Sequence, residues 1–258
     1  MTPYQTWVSF YTIVRKDVAR MLRIWPQTFL PSVVTSSLYF LIFGAFLGSR
    51  IGEVYEVPYI LFVVPGLVML AVVTQSYANT SFVMFTSKFF GRSIDEVLVS
   101  PTPPWVLVAG YVAGGVVRGA GVGVLVLLVS LFFTDFTVHS LGVVFLFLVL
   151  TSLVFALAGL VNGVYAKSMD GISIVPTFVL TPLVYLGGVF YSVDSLSPFW
   201  RSVTQVNPIF YLINGFRYGF LGISDVPILH AVGLLVLGTL ALLLVAIYLI
   251  RMGLGLKQ

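Results

Sequence analysis

The sequence predicts an all-α polytopic membrane protein. Its expected parts are six transmembrane helices, an N-terminal amphipathic helix at the membrane interface, and re-entrant half-helices between spans five and six. Three observations carry this expectation. The chain has 258 residues, 59% hydrophobic and only 9% charged, with a mean hydropathy of +1.07, whereas a soluble domain carries about a quarter charged residues. Its apolar residues fall into runs long enough for a bilayer, which needs about 20. Its cations are distributed unevenly about those runs.

The first 26 residues come before any span. Trp7, Tyr11, Val14, Val18, Met21 and Trp25 recur at intervals of three or four, with Lys16, Arg20 and Arg23 on the other side. This predicts an amphipathic helix on the cytoplasmic face, aromatic side in the headgroups and basic side toward anionic lipid. Pro26 is expected to end it. The helix either anchors the chain or carries motion to a partner.

Five apolar runs follow at 28–47, 59–85, 105–133, 141–165 and 228–250, and a sixth, 172–191, contains Pro176 and Pro182. Prolines are tolerated in membrane helices when neighbours satisfy the freed carbonyls. With six spans and both termini inside, the cytoplasmic side holds Arg15, Lys16, Arg20, Arg23, Lys88, Arg92, Lys167, Arg251 and Lys257, against Arg50, Arg201 and Arg217 outside. That is the positive-inside bias. A seventh crossing through 192–227 would reverse the last two cytoplasmic cations. The block is instead expected to dip into the outer leaflet as two short arms meeting at Asn207 and Pro208, with Arg217 near the outer polar boundary.

Within the spans, Gly110, Gly114, Gly115, Gly119 and Gly123 form small-xxx-small pairs, as do Gly44/Gly48 and Gly159/Gly163, a packing signal. Arg118 lies mid-span, where a charge costs a few kcal/mol or more. No span supplies an acid to pair with it. Its candidate partners are Gln75, Asn79, Asn162 and freed carbonyls, as a structural hub or facing a polar cavity. The loop 87–104 is the largest cytoplasmic one. Ser93 and Glu96 have capping-box spacing, and Ile94, Val97 and Leu98 give the resulting short helix an apolar face beside Asp95 and Glu96. A docking surface and a plain loop fit this equally. Tyr39, Phe43, Tyr77, Phe178, Tyr185 and Tyr191 either line a path or pack.

No phosphate-binding loop is present, since Ala166 precedes Lys167-Ser168 where glycine is needed. There is no cysteine, His139 and His230 are isolated, and no nucleophile–base set can be assembled. A net charge of +4 set by topology does not indicate nucleic acid. The chain therefore reads as a transport subunit and not an enzyme. An ion-driven carrier or channel, which would act alone, and a membrane scaffold are the alternatives. The lack of intramembrane carboxylates argues against ion-driven transport.

Four segments carry a resemblance. Pro208-Ile-Phe-Tyr211 followed by five residues and Arg217 resembles the signature of the type-2 ATP-binding-cassette permease family. Val64-Pro-Gly-Leu67, Asp95-Glu-Val-Leu-Val-Ser-Pro101 and Pro182-Leu-Val-Tyr-Leu-Gly-Gly-Val-Phe-Tyr191 extend it along the chain. The resemblance implies a homodimer in the bacterial inner membrane, contacting membrane lipid and served by two copies of a cytoplasmic ATPase that binds ATP and Mg. This chain itself would bind no cofactor. It also implies that Ser93–Val99 couples to the ATPase, that the N-terminal helix is a second lever, and that lipid-like, amphipathic or drug-like cargo moves outward between spans one, two and five. Asn207, Pro208, Tyr211 and Arg217 would form the outer re-entrant gate.

Overall fold

The computed structural model describes residues 1–90, 94, 96 and 99–255. Helix α1 (Pro3–Arg23) opens with a capping box, in which Thr2 accepts from the Gln5 amide and Gln5 accepts from the Thr2 amide. It ends at Ile24, two residues before the expected break. Pro26 sits instead in the first turn of α2 (Trp25–Phe40), where its missing N–H costs nothing. Helix α2 runs on through a π-helical stretch (Leu41–Leu47) and a last turn, α3 (Gly48–Ile51).

A hairpin follows, β1 (Glu53–Val54) against β2 (Val57–Pro58). Both turn residues have positive φ, 55° at Tyr55 and 61° at Glu56. Two-residue hairpin turns need this geometry, but side-chain-bearing residues adopt it with strain.

The long apolar helices are α4 (Tyr59–Phe89), α5 (Pro104–Ser130), α6 (Leu141–Tyr165) and α11 (Ile228–Met252). Together with α2 and its extension, five helices among the described residues are long and apolar enough to cross a membrane. A sixth, shorter apolar segment is built from α7 (Met169–Val175), a π-helical turn (Pro176–Leu180) and α8 (Thr181–Tyr185). It stops at Tyr185, six residues short of the expected Tyr191, because the chain turns at Gly188 with φ 80°. Helix α5 likewise ends at Ser130, before the expected Phe133.

Helix α4 is the axis of the bundle, packed chiefly against α5 and α6. The glycines explain how closely these backbones approach. A Cβ at Gly115, Gly119 or Gly123 would run into Thr80, Ser76 or Val72 of α4, and one at Gly159 or Gly163 would meet the Tyr77 or Ser81 carbonyl. Gly110 and Gly114 serve a different neighbour, receiving Ile13 and Asp17 of α1. One glycine-rich helix thus seats both the bundle axis and the N-terminal helix. At the far end of α4, Lys88 is buried and donates to the Val164 carbonyl at 2.7 Å, closing the C-terminus of α6.

After a short 3-10 turn (Val193–Ser195), α9 (Pro198–Val206) and α10 (Pro208–Leu221) meet at Asn207. At 14 residues α10 is about 21 Å long, too short to cross. It packs against α4, α6 and α11.

Candidate functional site

Four places bring the expected residues together. The first joins α1 to the bundle. Asp17 is 5% exposed and fits the notch left by Gly114. Its Oδ1 accepts from Arg20 Nη2 at 2.6 Å and Nε at 3.2 Å. Its Oδ2 accepts from Asn79 Nδ2 at 2.9 Å, while Asn79 Oδ1 accepts from Arg20 at 2.9 Å and from Arg118 Nη1 at 3.4 Å. Of the expected partners of Arg118, Asn79 is therefore found. Gln75 donates instead to Ser32 Oγ, and Asn162 to Ser81 Oγ and the Ile172 carbonyl.

The anion nearest Arg118 comes from outside the spans. Asp17 is the sole acidic residue before Glu53 and stands three residues before an arginine. That was its available signal. The aromatic side of α1 is uncovered at Trp7 and Tyr11, as expected, but Arg20 turns inward to Asp17 and away from the expected basic face.

The second place is a groove of about 250 Å³ between α2, α4 and α8. Ser32, Ser36, Tyr39, Thr74, Gln75 and Tyr185 give it hydroxyl and amide groups, and Leu67, Leu70 and Ala71 give it an apolar wall. The Gln75 carbonyl oxygen is buried without a partner. At its edge the Tyr39 and Tyr185 hydroxyls lie 3.1 Å apart, and Phe190 stacks on Phe43 at 4.3 Å and on Tyr185 at 5.8 Å. Phe190, which no spacing singled out, is thus the hub of the aromatic group. The other three expected path residues lie elsewhere. Tyr77 is buried in the core, Phe178 is 74% exposed, and the Tyr191 hydroxyl reaches Thr204.

The third place is the block after α8. Asn207 caps α10 by accepting from the Ile209 amide at 3.0 Å, and its side-chain amide donates to the Leu183 carbonyl. Pro208 occupies the first turn. Tyr211 donates to the Gln205 carbonyl at 2.9 Å, tying α10 back to α9. Arg217 is buried, with Asp225 and Tyr55 near enough to act on its charge. It is 1% exposed, its guanidinium lies 3.8 Å from the Phe62 ring centre, and it donates to the Gly188 carbonyl at 2.8 Å. Gly215 and Gly219, four residues apart, let α10 close on Phe147 and Val144 of α6. Gly215, a residue type that weakens a helix interior, serves here as a packing surface.

Above this block, the Tyr55 hydroxyl reaches Asp225 at 2.7 Å and Asp194 at 2.9 Å and accepts from Ser192. Burial raises the Tyr55 pKa above its ordinary value, so the phenol stays protonated at neutral pH. Asp194 also pairs with Arg201 at 3.0 Å.

The fourth place is the loop after α4. Ser93, Asp95, Val97 and Leu98 lie outside the described residues. Of the rest, Ile94 is buried with Met84, Leu107 and Val108, and Glu96 is exposed. Among the described residues no three His, Cys, Asp or Glu side chains converge as metal ligands.

Residues 8–221 match the family model described as ABC-2 type transporter. The chain belongs to the ABC-2 type transporter family. It is 54% identical over 252 residues to the inner membrane transport permease YadH of Escherichia coli (strain K12), covering 98% of each chain. It is 26% identical over 218 residues to nodulation protein J of Neorhizobium galegae, covering 84% of this chain and 81% of that one. The permease is a multi-pass inner-membrane protein.

Proposed function

We propose that this chain is the transport subunit of an exporter that moves a lipid-like, amphipathic or drug-like molecule outward across the inner membrane. A separate cytoplasmic ATPase supplies the energy, binding ATP and Mg, with two copies beneath a homodimer of six-span subunits. The groove between α2, α4 and α8 carries this reading. A wall that offers hydroxyls on one side and leucines on the other suits cargo with both polar and apolar faces. At about 250 Å³ it is too small to enclose such a molecule, and a second copy would supply the facing wall.

On this reading both termini are cytoplasmic, and α9 and α10 dip into the outer leaflet as a re-entrant gate. The loop holding Ile94 and Glu96 is the ATPase contact, and α1 is a second lever linked to spans two and three through Asp17. Reconstitution of the permease with its ATPase in liposomes tests the proposal. ATP-dependent movement of a fluorescent amphiphile is expected, with transport reduced by Ser36→Leu in the groove while ATP hydrolysis persists. Movement by the permease alone without ATP would support an ion-driven carrier or channel instead.

A further inference from the structure

A hollow of about 770 Å³ lies between α1, the last turns of α4 and the start of α5, a volume in the range of ligand sites. Lys16, Arg20 and Arg23 from α1 line it, and their i, i+4, i+7 spacing makes them one stripe. Arg20 is already paired with Asp17. Lys16 and Arg23 have no anionic partner among the described residues. Glu96 stands on the lining as well, so the unpaired groups among the described residues leave one net positive charge. Ile13, Val83 and Phe90 supply apolar walls. Next to the hollow, Leu22 on α1 and Trp25 at the start of α2 are 61% and 56% exposed.

We infer that this hollow is a phospholipid site. Lys16 and Arg23 hold a phosphodiester head group of charge minus one, and the apolar walls receive the first part of its acyl chains. A free phosphate could use the cations but not the walls, and an uncharged amphiphile the walls but not the cations. The bound lipid fills the space between α1 and the α4–α5 pair. It therefore stiffens the same joint that Asp17 pins. The inference rests on membrane embedding alone and holds whatever cargo is carried.

The test uses the full-length permease in a neutral detergent, with retained lipid counted by native mass spectrometry. Phosphatidylglycerol, phosphatidylcholine and glycerophosphate are the probes. Phosphatidylglycerol is expected to be retained, and Lys16→Ala with Arg23→Ala to lower its affinity about tenfold or more, from about 1 kcal/mol per basic residue. Arg15→Ala, which removes an exposed cation that does not line the hollow, is expected to leave affinity unchanged. Ala19→Phe narrows the hollow without touching charge and is expected to weaken lipid retention while gel-filtration behaviour stays that of the wild type. Equal retention by the wild type and the double variant would overturn the site. So would displacement of the lipid by an equal concentration of glycerophosphate.

Discussion

Arg118 and Arg217 both lie within a bundle that is almost free of charge, yet the protein accommodates them in opposite ways. Arg118 sits at the edge of a polar square in which Asn79 passes the influence of Asp17 across from another helix. Arg217 has no such square. It is sealed against the Phe62 ring and one backbone carbonyl, and Asp225 acts on its charge without a hydrogen-bonded relay. The first solution depends on α1 being docked, because its carboxylate arrives on that helix. The second depends on a turn at Gly188 and on the rigid packing of α10. The contrast separates a joint that a moving helix could loosen from a strut that holds the opposite end closed.

Removal of the strut should have the largest effect. Arg217→Ala leaves a void beneath Phe62 and an orphaned Gly188 carbonyl, with an expected cost of about 3–5 kcal/mol in unfolding experiments. Arg217→Met, which refills the space without charge, should cost distinctly less. Equal losses would mean that the charge and its hydrogen bond, not volume, decide the site. At the joint, Asp17→Ala leaves Arg20 and Arg118 without their carboxylate, and a loss of about 2–4 kcal/mol is expected from thermal unfolding. Gly114→Ala attacks the same joint by sterics, since its methyl collides with the Asp17 carboxylate. About 1–3 kcal/mol is expected, accompanied by faster proteolysis at α1.

The smallest effect belongs to Tyr55→Phe above the strut, about 1 kcal/mol at neutral pH. A raised folded-state pKa means this stabilisation is present below the unfolded value and lost as pH rises through the folded one. Wild type and variant should therefore differ by a constant amount from about pH 6 to about pH 9. Above the ordinary phenol pKa of about 10 the wild type should lose its advantage.

Much of the architecture was legible because hydrophobic runs and turn residues act locally. Leu141–Tyr165 begins and ends where its apolar run does, and Asn207-Pro208 marks a helix start by cap and proline alone. What escaped depends on distant partners. Asp17 looks like a solvated charge on a basic helix until Gly114 opens a notch for it. Arg217 looks like a boundary residue until the Phe62 ring, 155 positions away in sequence, covers it. Gly215 reads as a breaker in isolation and as a contact only once α6 lies against it. The aromatic group shows the same limit, since Tyr39, Phe43 and Tyr185 were nameable but their hub at Phe190 was not.

Double-mutant cycles in detergent unfolding test the contrast most directly, pairing Asp17→Ala first with Arg118→Ala and then with Arg217→Ala. The joint predicts non-additivity of about 1 kcal/mol or more for Asp17 with Arg118, and additivity within about 0.5 kcal/mol for Asp17 with Arg217. Additive losses at Asp17 and Arg118 would contradict it, and so would equal coupling of Asp17 to both arginines.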